Sequence, residues 1–217
     1  MKATSPNETA APRRRGVRET PAVRQQSIID AAMRCIARYS YSDTTIDRIC
    51  AEAKVSRGLI NHHFQSKDEL MAQTYKRLAE DLREISRDAI ERANGPEEKL
   101  HATIHVCFVA PMFTPKNVKV WLGFWSVAHS DPAIRKAHKE MYGNYRRKLE
   151  KLFDEIGKER GMPINSALAA LTLTAVIDGF WLELARDPSS FKAADALDGC
   201  MLVVDSFVPP VAGRKRA

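Results

Sequence analysis

Residues 44–70 read TTIDRICAEAKVSRGLINHHFQSKDEL, and this stretch decides the fold. Ile46, Ile49, Cys50 and Ala53 recur at three- and four-residue steps, the spacing of one helical face. The turn Ala53-Lys54-Val55 ends that helix. Ser56 is a natural N-cap for a second short helix reaching about Phe64, with Val55 placed to staple onto Ile60. At about 100° per residue, Ile60, Phe64 and Arg57 fall toward one side, and Gly58 and His62 fall opposite, flanked by Asn61 and Leu59. A short helix with few core anchors and small or polar residues outward fits a DNA major groove. Lys54 and Arg57 suit a phosphate or a guanine edge, and Asn61 suits an adenine edge. Gly58 lets the start of the helix come close to a duplex. Thr45 and Lys67 stand at helix starts, where backbone N–H groups and the helix dipole favour phosphate. The candidate DNA contacts are therefore Thr45, Lys54, Ser56, Arg57, Gly58, Asn61, His62 and Lys67.

Working outward, residues 1–19 hold Arg13-Arg14-Arg15 and few apolar groups, which predicts a mobile basic arm. Thr20-Pro21 reads as an N-cap with proline at the first helical position, and Ile28, Ala32, Cys35, Ile36 and Tyr39 carry a helical stripe from there. Residues 20–67 form the predicted head. Ser66 and Glu69 make a capping box for a long helix to about Asn94, with Met71, Tyr75, Leu78, Leu82, Ile85 and Ala89 on one face. Asn94-Gly95-Pro96 ends it. Further helices are predicted over 97–110, 116–129, 132–160, 164–187 and 190–207. No alternating strand pattern appears, so the predicted class is all-α with roughly nine helices. Residues 68–208 form the body and 209–217 a basic tail.

The charge is uneven in the same sense. The 217 residues carry 34 Lys and Arg against 27 Asp and Glu, a net charge of +7. Within 1–67 the count is 12 against 6, whereas 68–213 is slightly acidic. A basic end on an acid-leaning body is expected of a chain that meets a polyanion with that end. The cysteines Cys35, Cys50, Cys107 and Cys200 form no CxxC pair, which argues against a zinc ribbon or disulfide scaffold and for reduced, partly buried thiols. Residues 1–22 lack the apolar core of a signal peptide. The most apolar stretch, 167–185, is interrupted by Asp178 and Glu183 and reads as a buried helix rather than a membrane span.

The last two helices are apolar on more than one side. Leu168, Leu171, Ala175 and Leu182 make one stripe, and Leu197, Met201 and Val204 another. A helix apolar on two sides needs two neighbours, which favours a homodimer built on these residues over two internal helices of a monomer.

Trp121 and Trp125 share a helix face, Trp181 lies in a different helix, and Phe113 is close in sequence to the first pair. An aromatic box binds quaternary ammonium groups at about 0.5–2 kcal/mol per cation–π contact. Asp178 on an apolar stripe needs a partner, since burying a carboxylate unpaired costs several kcal/mol, and a cationic effector would supply one. Ordinary core packing, with Asp178 paired to an internal group, is the alternative on spacing alone. His101 and His105 are four apart, but two local histidines without a third ligand do not make a metal site, and no metal or cofactor is expected.

The stretch quoted first resembles the helix-turn-helix of the TetR family of bacterial repressors, through Thr45, Ile49, Ala53, Val55, Ser56, Gly58, His62, Phe64, Lys67 and Leu70. Three positions depart from the family pattern: Lys54 replaces the usual turn glycine, and Asn61 and His63 replace the usual aromatics. A left-handed backbone at Lys54 would cost about 1–2 kcal/mol. Residues 58–64, 120–125 and 175–182 further resemble BetI-type choline-responsive repressors. The resemblance implies a cytoplasmic, homodimeric, non-enzymatic repressor that binds a double-stranded operator and a small-molecule effector, choline or a related quaternary amine, with no membrane partner. Two other readings are a regulator of the same build sensing an unrelated apolar or cationic molecule, and a non-specific nucleoid-type DNA binder. No GxSxG, Gly-rich phosphate loop or zinc-deaminase signature points to an enzyme.

Overall fold

The computed structural model describes residues 20–210, so the arm at 1–19 and the last residues of the tail, 211–217, lie outside the described residues. Those described fold into nine helices without strands: α1 (Pro21–Tyr39), α2 (Ile46–Ala53), α3 (Arg57–His63), α4 (Lys67–Glu91), α5 (Gly95–Val106), α6 (Pro115–Val127), α7 (Pro132–Arg160), α8 (Ser166–Arg186) and α9 (Ala193–Phe207).

The caps read from the sequence hold the helix starts. Thr20, Thr45, Ser56 and Ser66 each accept a backbone N–H with the side-chain oxygen, from Val23, Arg48, Leu59 and Glu69 respectively. The carboxylate of Glu69 accepts from the backbone N–H of Gln65 at 2.7 Å, one residue before the cap. Its other oxygen accepts from Gln73, whose carbonyl accepts from Gln25 at 2.8 Å, so a polar chain ties α1 to the first turns of α4. Pro96 sits in the first turn of α5 instead of preceding it, because proline lacks only an N–H that is unused there. Helix α7 keeps the predicted bounds and α6 starts one residue early, whereas α5 and α6 end sooner, α8 is shorter at both ends and α9 starts later than the pattern predicts.

Ile28, Ala32, Cys35 and Ile36 of α1, Ile49 of α2, and Ile60 and Phe64 around α3 are almost wholly buried with Leu70 and Met71 of α4. Helix α1 packs on α2, α4 and α6, while α4 continues from this head into the body against α5 and α7. In the body, α8 is sandwiched by α6, α7 and α9. By length and mean hydropathy of 1.6, α8 is apolar enough to cross a bilayer, but Ala169, Ala170, Leu173, Ile177 and Trp181 are buried against those neighbours. Gly199 makes the α8–α9 crossing close, since a β-carbon there would lie 2.7 Å from the Phe180 ring. All four cysteines are free thiols.

The α2–α3 turn keeps its left-handed residue although glycine is absent: Lys54 has φ 56° and ψ 45°, with its N–H bonded to the Cys50 carbonyl. A β-carbon in that region strains against the neighbouring carbonyl, and the surrounding packing of Ile49 and Ile60 outweighs the strain. Lys54→Gly should therefore raise the unfolding free energy by about 1 kcal/mol, read from urea denaturation; an unchanged or lower value would mean that the turn is not strained.

Candidate functional site

The head presents one polar face. Ser56, Arg57, Gly58, Asn61 and His62 are exposed, while Ile60 and Phe64 point inward with 1% exposure each. Arg57 departs from the wheel reading. Standing at the first position of α3, it swings away from the core anchors, with its guanidinium 3.5 Å from Asp47 of α2 and its side chain 63% exposed. Thr45 and Lys54 are exposed at the two ends of α2, and Lys67 is half-buried at the start of α4. Among the described residues the side chains of Lys54 and Asn61 have no hydrogen-bond or ion-pair partner. Only Ser56 Oγ lies within 4 Å of where a β-carbon on Gly58 would sit, so that point of α3 is open. Two donors of the face, Lys54 and Arg57, are cationic, and the helix start itself adds partial positive charge.

The body contains a cavity of about 260 Å³ between α4, α5, α6, α7 and α8. Trp121 and Trp125 reach it from α6, Trp181 and Asp178 from α8, and Tyr142 and Tyr145 from α7. The indoles are mutually ordered: Trp121 meets Trp181 edge-to-face at 5.9 Å, and Trp125 stacks on Trp181 at 6.4 Å. Trp181 donates from Nε1 to the Cys107 carbonyl at 3.0 Å, which fixes its ring. Trp125 also meets Tyr142 edge-to-face at 6.1 Å. The Tyr142 hydroxyl donates to Asp178 Oδ1 at 3.0 Å.

Burial pushes the Asp178 carboxyl up to about 6, against the opposing pull of the Tyr142 hydrogen bond and the Arg146 guanidinium. Burial together with the Asp178 charge also raises the Tyr142 phenol, which is thus a hydrogen-bond donor at neutral pH. The box therefore joins aromatic faces to an anion held at one wall, the composition that stabilises a soft cation.

Phe113 does not line this cavity. It lies before α6 in a separate aromatic group, 5.1 Å from Phe108, 6.0 Å from Phe191 and 6.3 Å from Trp181, so it supports Trp181 from outside the box. Closeness in sequence to Trp121 was a poor guide because the chain doubles back, with the Phe113 N–H bonded to the Val109 carbonyl. The sequence reading missed Tyr142, Tyr145 and Lys148, which line the cavity from α7. Their signal was present as aromatics three apart on an otherwise charged helix. His101 and His105 are both exposed on α5. Among the described residues no group of three His, Cys, Asp or Glu side chains is arranged to hold a metal.

On the outer face of the body, Leu168, Leu171 and Leu182 are about half exposed, with Ala175 exposed between them. Leu197 and Met201 of α9 are partly exposed. Val204 is not: at 4% exposure it turns into the core of the chain with Ala196 and Cys200. The stripe 197-201-204 rotates off the outer face by its last member, and Leu202, 68% exposed, takes that place.

A helix-turn-helix head on an all-helical body is the build of a DNA-binding regulator, and relatives place it further. Residues 96–209 match the family described as BetI-type transcriptional repressor, C-terminal, and residues 28–74 match the bacterial regulatory proteins, tetR family. The HTH-type transcriptional regulator BetI of Agrobacterium fabrum is 33% identical over 81% of this chain and 84% of its own length. That of Paraburkholderia phymatum is 34% identical over 82% and 89%. A transcriptional regulator structure from Pseudomonas aeruginosa PAO1 superposes with a TM-score of 0.80 at 34% identity, covering 87% of this chain and 92% of that one. One from Saccharomonospora viridis, solved in complex with choline, gives 0.76 at 19% identity over 85% and 96%. The chain belongs to the BetI-type repressors of the TetR family of transcriptional regulators.

Loss of the buried charge should be visible in stability. Folded Asp178 holds its proton up to about pH 6, whereas an unfolded aspartate releases it near 3.8. The native state thus binds more protons between those values, and stability falls as pH rises from about 4 to 6, then levels. Asp178→Asn, which still accepts from Tyr142, should remove that slope and raise stability at pH 7 by about 2–3 kcal/mol in denaturant titrations. An unchanged pH profile would contradict the assignment.

Proposed function

We propose that this repressor acts as a homodimer, reads its operator with α3 and lets go when a quaternary ammonium effector enters the tryptophan box. The observation that carries the reading is the coexistence of three ordered indoles with the buried Asp178 carboxylate in one cavity. A cation there gains cation–π attraction of about 0.5–2 kcal/mol per ring face and neutralises the carboxylate. Choline is the simplest member of that class. The choline bound to the Saccharomonospora viridis regulator is a property of that protein, and the shared fold makes it a reasonable first ligand to try.

Within the head, Asn61 and His62 read base edges, with Gly58 allowing close approach. Arg57 exchanges its Asp47 pairing for DNA, and Thr45, Lys54, Ser56 and Lys67 hold phosphates. The dimer forms through Leu168, Leu171, Ala175 and Leu182 of α8 with Leu197, Met201 and Leu202 of α9. Two heads must then lie about 34–36 Å apart, or a multiple, to enter successive major grooves. The protein works in the cytoplasm, where the operator is.

The cavity reaches the head through α6. A β-carbon on Gly123 would come within 3.1 Å of Ile36 Cγ2 in α1, and Phe124 packs edge-to-face on Tyr41 at 5.4 Å. Tyr75 of α4 stacks on Phe124 at 4.7 Å and meets Trp121 at 5.7 Å. An effector that moves Trp121 or Trp125 therefore biases the angle between body and head, and its differential affinity for the two angles sets the shift in population.

Lys67→Ala should weaken binding to every operator variant and reduce the salt slope of log K by about one unit, whereas Asn61→Ala should change the ranking among variants. Equal loss on all variants in gel-shift titrations would remove Asn61 from base reading. Choline should quench tryptophan fluorescence and release operator DNA at neutral pH. Both effects should fade as pH drops below about 6 and the carboxylate facing Tyr142 and Arg146 takes up its proton. Unchanged DNA affinity at millimolar choline would overturn the choline reading.

A further inference from the structure

The cavity is not uniform in charge along its length. Asp178 and Tyr142 hold one part of its lining. Farther along α7, six residues and about 9 Å of helical rise from Tyr142, Lys148 lines the same cavity. No carboxylate among the described residues pairs with Lys148, and partial burial lowers the affinity of its amine for a proton. Arg83 of α4 lines it as well and is exposed. Asp178 is met by the Tyr142 hydroxyl and feels the Arg146 guanidinium, whereas no carboxylate acts on Lys148. Cys107, which lines the same cavity, is a buried thiol that burial pushes up, so it adds no charge there. Trp121 adds an acceptor-seeking group, because its Nε1 is buried without a hydrogen-bond partner.

A simple cation uses only half of this arrangement. It would satisfy Asp178 and the indoles while leaving the ammonium of Lys148 and the guanidinium of Arg83 in the lining with no anion to bind. Resting on the cationic-effector reading above, we propose that the cavity selects a zwitterion: a trimethylammonium group in the tryptophan box, joined by a short chain to a carboxylate held by Lys148 and Arg83. The carboxylate would also bridge α7 to α4, the helix that runs into the head, so that the anionic end of the ligand carries part of the signal to DNA. Lysine supplies a flexible point charge and arginine a planar fork, and a carboxylate can accept from both.

Three probes of graded chemistry test this on the full chain by tryptophan fluorescence and calorimetry: tetramethylammonium, choline and 4-(trimethylammonio)butyrate. The carboxylate compound should bind about tenfold more tightly than the other two, the scale of one partly buried charge-assisted contact. Lys148→Met should abolish that preference while leaving tetramethylammonium affinity within about twofold, and Lys148→Arg should retain it. Asp178→Asn should weaken all three. Equal affinity for the three probes, or equal loss of all three in Lys148→Met, overturns the zwitterion inference and leaves the cationic site standing. Failure of every probe to bind the unsubstituted protein overturns the cationic reading and this inference with it.

Discussion

Helix α6 has to satisfy two neighbours at once. One side carries Trp121 and Trp125 to the cavity, and the other brings Gly123 and Phe124 against Ile36 and Tyr41 of the head. The glycine keeps that crossing close, since a β-carbon there would make Ile36 give by a few tenths of an ångström. A close-packed interior does not deform continuously, so a displacement of α6 on the cavity side must be accommodated by its contacts on the head side. The head and the cavity are thus joined by a few packed side chains.

The box has its own internal constraint. Three large rings stay ordered only if something fixes them, and here Trp181 is anchored by its bond to the Cys107 carbonyl and supported by Phe113. Asp178 lies at the margin between the cavity and the outer face of α8, held by Tyr142. Its raised pKa records the cost of keeping a carboxylate in that place with no full countercharge. Such a cost is tolerated where a ligand later offsets it. Tyr75 and His138, hydrogen-bonded at 2.8 Å and stacked, fill the space between α4, α6 and α7 and transmit rigidity across it.

Much of this could be read from residue order. The helix starts were legible because Thr20, Thr45, Ser56 and Ser66 cap by a local rule, independent of tertiary context. The inward set of the head was legible from the three- and four-residue spacing, and the outward set followed as its complement, with Arg57 the exception because a residue in the first helical turn can leave the wheel. At Lys54 the chain keeps a backbone that the residue itself disfavours, as tertiary packing often does. What could not be read was depth. Phe113 sits close to Trp121 in sequence and in a different aromatic group in space. Val204 belongs to a stripe that rotates into the core, while Leu202 emerges. Tyr142, Tyr145 and Lys148 lie on an otherwise charged helix, and their place in the cavity depends on α4 and α8 packing over one side of α7.

The coupling through α6 is measured most directly by amide hydrogen exchange on the full-length protein, with and without a saturating quaternary ammonium ligand. The account predicts altered protection in the cavity-facing turns of α6 together with the last turn of α1 and the Ser40–Thr44 turn, which touch no ligand. Changes confined to the cavity walls, with the head unaltered, would contradict it.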